Sequence, residues 1–223
     1  MVSATSDLFR LADGCLVLSH RLSEWMSNSP TMEEDIALGN IALDLLGQAR
    51  GLLQQLGDED QLAYFREAQE FRNPVICELR GGDFAFTMLR QLFVDTWLGQ
   101  VWPALAATAN DDQVRGVAEK AIKENAYHRR HSTSWVVRLG DGTDESHQRM
   151  QTALDALWPY RGEIADDHWY AAIEPILTEA TLTVPARDGW TQRSSADGWH
   201  TEHLGHLLAE MQSLARAHPG ASW

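Results

Sequence analysis

Apolar positions along this chain recur every three or four residues almost from end to end, the period of helices that bury one face. Leu11, Cys15, Leu18, Leu22 and Trp25 mark a first helix from Leu8 to about Met26, stopped by Ser27-Asn28-Ser29-Pro30. Thr31 then suits an N-cap, with Glu33, Glu34 and Asp35 in the first turn, where carboxylates favour the helix dipole. The pair Thr31 and Glu34 fits a capping box, and this second helix runs to Leu56 before Gly57. A shorter, more polar helix is predicted from Asp58 to about Phe71 with Leu62, Phe65 and Ala68 turned inward. Asn73-Pro74 interrupts it, and Val75 to Leu79 reads as one helical turn. After Gly81-Gly82, Asp83 caps a long helix through about Ala107, kinked near its end by Pro103.

Asn110-Asp111-Asp112 opens the next helix, to about Leu139, with exposed pairs Glu119 to Lys123 and Lys120 to Glu124, each worth roughly 0.2–0.5 kcal/mol. Asp144 to Trp158 and Asp167 to Glu179 continue the pattern. Thr181-Leu182-Thr183-Val184 is the only strand-like run, and a single such run makes no sheet. Arg187 to Gly198 reads as an extended loop. Thr201 to Arg216 is the last helix, with Leu204, Leu207, Leu208, Met211 and Leu214 inward, and the tail from Pro219 to Trp223 is not helical. The prediction is one all-α domain over residues 1–223: an up-and-down helical bundle with smaller helices around it.

The polar residues inside this pattern narrow the chemistry. Asn40, Asp44 and Gln48 sit four apart in the otherwise apolar run Ile36 to Leu53, so the second helix reads as central, with a polar stripe that needs internal partners. Later helices offer Thr87, Gln91 and Asp95 in one row, and Glu124 with His128 in another. Inward carboxylates and histidines on antiparallel helices are the raw material of a carboxylate-bridged di-metal site, which draws a Glu from each of two helices and a Glu-x-x-His pair from each of two others. This chain falls short of that inventory. No histidine lies in Ile36 to Leu56, and the residue three after Glu124 is Tyr127, with His128 one place late. His128 and His131 could form a sparser mononuclear alternative. An atypical metal cluster of Asp44, Asp95, Glu124 and His128 therefore competes with a metal-free buried network of Asn40, Asp44, Gln48, Gln91, Asp95, Glu124 and His128. The shortage of donors favours the network. A metal-free network would raise the pKa of a carboxylate facing Glu124, or call for a basic partner such as His128 or Arg90.

Other constellations carry less. His200, Glu202, His203 and His206 lack the H-E-x-x-H spacing and do not share one face, which points to capping and packing. Ser19-His20 and Ser132 near His131 lie outside any G-x-S-x-G turn, and no phosphate-cradling glycine loop is present. Arg129, Arg130 and Arg138 form a local basic strip, read as a solvated face or a contact for an acidic neighbour.

Composition sets the outer limits. At 223 residues with 44% hydrophobic residues, the chain can bury a sizeable core. A formal net charge of -14 opposes nucleic acid and anionic membranes as partners. No apolar run is long enough to span a bilayer. The first residues, MVSATSDLFRLADG, lack the basic-then-apolar order of a secretory leader. Cys15 and Cys77 are expected to be reduced thiols in a cytoplasmic protein. Nine tryptophans divide between core and interface, with Trp158, Trp190, Trp199 and Trp223 near turns.

The stretches LADGCLVLSHRLSEW, DIALGNIALDLLGQAR, KAIKENAYHRRHS, RLGDGTDES, EATLTVP and HTEHLGHLLAEMQ cover nearly the whole chain. Together they resemble the C subunits of the bacterial phenylacetyl-CoA epoxidases. The resemblance implies a ferritin-like helical subunit of a multicomponent monooxygenase, with no cofactor of its own and no catalytic residue. It implies a catalytic A subunit as partner, carrying the di-iron centre and binding phenylacetyl-CoA. A reductase subunit with flavin and an iron–sulfur centre would deliver electrons from NADPH. This chain would then serve as a structural support for the helices that hold the iron ligands.

Overall fold

The structure, a computed structural model, describes residues 4–221, so Trp223 lies outside the described residues. Every regular element among them is helical, in ten α-helices and short 3₁₀ turns, with no strand. The helices gather into two compact units, one of the residues up to 80 with those from 194 onward, the other of residues 81–193.

In the first unit, α1 (Ala4–Ser23) and α2 (Met32–Leu56) form a helical hairpin packed along its length. Thr31 caps α2 as expected, its hydroxyl accepting from the Glu34 amide at 3.3 Å. Gly57 follows the last residue, and its amide donates to the Leu53 carbonyl. Helix α3 (Glu59–Tyr64) is shorter than its sequence pattern predicts. The reason lies in Arg66, whose guanidinium takes the Leu62 and Glu70 carbonyls on its way to buried Asp13. The turn predicted at Val75 is α4 (Val75–Glu78). The C-terminal segment completes this unit with α9 (Glu202–Met211) and α10 (Ser213–Ala217), rather than one helix to Arg216. The break falls at Gln212, whose buried amide donates to the Ala63 and Arg66 carbonyls. Cys15 and Cys77 are both buried here and outside any disulfide.

The second unit is built on α5 (Phe84–Thr108) and α6 (Asp112–Gly140), joined by a short turn. Helices α7 (Asp144–Leu157) and α8 (Asp167–Glu179) pack against both. Every residue of α5 from Thr87 to Leu98 is buried. This stretch of α5, rather than any of α2, is therefore sealed on all sides. On α2 an outward face carries Met32, Ile36, Leu43 and Leu46 in solvent. Gly140 ends α6 where any Cβ would stand 2.3 Å from the Ala180 carbonyl oxygen, so no larger residue fits there. Lys120 pairs with Glu124 at 2.8 Å, as its spacing predicts.

The tryptophans near turns separate clearly. Trp158 is core: its indole donates to the Ala186 carbonyl at 3.0 Å, and it clusters with Phe93, Trp169 and Tyr170. Trp199 is half-buried, and Trp190 stands in solvent. The segment around Thr181 to Val184 is irregular, its ends tied by Thr181 to the Gly140 carbonyl and by Gln151 to both the Thr183 amide and carbonyl.

Candidate functional site

The stripe on α2 does not turn inward as a whole. Gln48 is buried, where its amide oxygen lies 3.6 Å from the Cys15 thiol; Asp44 is half-buried; Asn40 is exposed. Four residues advance an α-helix by slightly more than one turn, so each step of four drifts about 40° around the axis. Three residues so spaced cross from the solvent face through the flank to the core. Asn40 is thus corrected from the buried network to the surface.

On the second unit the polar residues are sealed. Gln91, Asp95 and His128 are buried, and Glu124 is half-buried beside Lys120. The Asp95 carboxyl receives the Gln91 side-chain amide at 2.7 Å and neighbours the Ser132 hydroxyl at 3.0 Å. Asn125 on α6 donates to the Asp95 backbone carbonyl at 3.0 Å, pinning α6 to α5 at this level. Burial pushes the Asp95 carboxyl up to about 8, against the smaller opposing pull of Gln91, Ser132 and the Arg129 charge. Its pKa is raised, but by desolvation rather than by a facing carboxylate. Burial therefore favours the protonated acid at Asp95. It can donate to Ser132, whose own hydrogen then goes to the His128 carbonyl at 3.0 Å.

This donor chemistry does not suit a pair of oxidising irons. A metal ligand must be an ionised carboxylate, a thiolate or a neutral imidazole. Here both Asp95 oxygens are occupied by Gln91 and Ser132, and Glu124 is engaged by Lys120. Among the described residues, no group of three or more His, Cys, Asp or Glu is placed to hold a metal ion.

Among the buried charges that the sequence pattern does not reveal, three are anchors. Glu78 is fully buried on α4 and accepts from the Asn73 amide at 2.9 Å, the Thr201 hydroxyl at 2.8 Å and the Thr201 amide. His200 approaches the same carboxylate at 2.7 Å through Nδ1, and its Nε2 lies 3.1 Å from the Phe71 carbonyl. Both ring nitrogens thus face acceptors, which suits the imidazolium. Glu78 therefore serves as a distant cap for α9, and the histidine-rich start of that helix is a clamp. The second anchor is Asp13, paired with Arg66 and accepting the Arg72 amide at 2.8 Å. Its carboxyl is raised by burial despite both arginines. The third is Arg161, buried against the Trp158 ring and donating to the Trp158 and Arg187 carbonyls and the Tyr170 hydroxyl. The only sequence signal was a charge inside an apolar run, as in Pro74-Val-Ile-Cys-Glu-Leu79.

Comparison with known proteins places this arrangement. The family model described as phenylacetic acid catabolic protein matches residues 3–168 and 166–223. The chain belongs to that family. The all-α, ferritin-like architecture is the family's own. A relative from Escherichia coli (strain K12), the C subunit of its 1,2-phenylacetyl-CoA epoxidase, is 41% identical over 250 aligned positions that cover both chains in full. No helix among the described residues is long and apolar enough to cross a membrane.

Proposed function

We propose that this chain is the non-catalytic C-type subunit of a phenylacetyl-CoA ring 1,2-epoxidase, acting in the cytoplasm in aerobic phenylacetate catabolism. In that role it backs a catalytic helical subunit that holds the di-iron centre and the aryl-CoA. A reductase with flavin and an iron–sulfur centre supplies electrons from NADPH. The observation that carries this reading is the end-to-end 41% identity with the Escherichia coli C subunit. The donor set agrees with it, since no group of three or more His, Cys, Asp or Glu among the described residues is placed to hold a metal ion.

The test is reconstitution. The catalytic subunit and reductase, mixed with NADPH and phenylacetyl-CoA, should form epoxide only when this chain is added, and the purified chain should carry no paired iron. Full epoxidation without it, or near-stoichiometric iron pairs in the isolated chain, would overturn the assignment.

A further inference from the structure

Helix α2 presents an uncharged surface where a solvated helix would carry charge. Ile36, Gly39, Asn40, Leu43, Leu46 and Gly47 follow one another at helical spacing along its outer face. Met32 is 73% exposed, Ile36 58%, Leu43 66% and Leu46 39%. Met26, itself 51% exposed, extends the patch from the preceding turn, with its sulfur against Gly39. Isolated exposed apolar residues need no explanation, but a contiguous apolar stripe marks an interaction surface. At its far end the stripe runs into a cavity of about 480 Å³ lined by Leu46, Leu53, Ala63 and Tyr64 together with Arg50 and Glu59. A large partner side chain could enter there, which is how interface anchors gain most of their energy.

The bordering charges choose the occupant. Glu33 flanks the stripe, and Glu59 and Asp60 line the cavity. The cation beside them, Arg50, is already held by Glu59 through two nitrogens at 2.9 Å. The rim is net acidic. A second copy of this chain would bring a rim of the same sign, on a molecule whose net charge is -14. The complementary partner is a different subunit with an apolar helix face and a basic border. We infer that this α2 face, from Met32 to the cavity beside Leu46, docks the catalytic helical subunit of the epoxidase. Gly47, where an added Cβ would meet nothing within 4 Å, lets the partner helix approach the α2 backbone.

The inference rests on the epoxidase reading above, and the experiment separates the two. The full-length chain and its Leu43→Glu and Ile36→Glu variants are titrated against the purified catalytic subunit by calorimetry, with sedimentation of each chain alone. Circular dichroism melts check folding, and Leu214→Glu, at an exposed residue of α10, is the control. The wild type and the control should bind equally, while Leu43→Glu and Ile36→Glu weaken binding at least tenfold with unchanged melting. Failure of the wild type itself to bind would remove the epoxidase reading. Binding by the wild type that both face variants retain in full would overturn the docking site alone. A wild-type homodimer that Leu43→Glu dissociates would assign the face to a second copy instead and equally overturn it.

Discussion

Helices α2 and α5 have the same length and nearly the same character in sequence: long, apolar on most positions, and interrupted by a polar row at four-residue spacing. Their fates differ. Every residue of α5 from Thr87 to Leu98 is buried, and its polar row is bonded to Ser132 and within itself. On α2 the row crosses the helix, and Ile36 and Leu43 remain in water. Each apolar side chain left exposed forgoes about 1.5–3 kcal/mol of burial. The lesson is that uniform hydrophobicity records where a helix is covered in the working assembly. For α5 the cover belongs to this chain; for α2 it does not.

The contrast breaks most visibly by truncation. Phe93 on α5 is fully buried, with Trp169 edge-on to its ring at 4.9 Å. Phe93→Ala should cost about 3–5 kcal/mol of stability, from lost transfer energy and the cavity left behind. Denaturant melts of the isolated chain measure this. A loss under about 1 kcal/mol would mean that α5 is far less tightly packed than its burial implies.

A second test uses charge. Asp95 has a folded pKa of about 8 against the ordinary 3.8. Between those values the unfolded chain has released the proton and the native one has kept it. The native state binds more protons there, so stability falls as pH rises, by about 1.4 kcal/mol per pH unit from this group, and levels off above the folded pKa. Asp95→Asn mimics the protonated acid: its oxygen accepts from Gln91 and its amide donates to Ser132. The variant should flatten the dependence of melting temperature on pH between 5 and 8, gaining on the wild type most at pH 8. An unchanged slope would show that Asp95 is ionised in the native protein.

Much of this was legible in the residues alone, because helix-period patterns and caps act locally. Thr31, Asp83 and Asp111 cap the helices their positions predict, and α8 begins and ends where its pattern does. What escaped depends on distance along the chain. The shortening of α3 needs Arg66 to find Asp13, 53 residues away, and the capping of α9 needs Glu78 to meet Thr201 and His200. The rotation of Asn40 out of the network was in principle readable from the helix period. The apolar residues around it masked it, since they look identical whether their cover is intramolecular or a partner.

The smallest expected effect discriminates best between those two kinds of cover. Gly47 lies mid-helix on the exposed face of α2, and a methyl group there meets nothing within 4 Å. Glycine in a helix interior costs about 1 kcal/mol relative to alanine, because its backbone has more freedom to lose. For the isolated chain, Gly47→Ala should therefore raise stability by about 0.5–1 kcal/mol, read as a higher melting temperature. On α5 the corresponding residue is Gly99, where an added Cβ would stand 3.3 Å from the Asn125 side-chain nitrogen, so the gain there is opposed by a tight contact inside this chain. If α2 is covered by a closely packed partner helix, the same methyl intrudes on the contact. Gly47→Ala should then weaken the complex several-fold even as it stabilises the chain. A stabilised chain that binds its partner as tightly as before would show that the contact leaves room at Gly47, and would move the close approach elsewhere along the stripe.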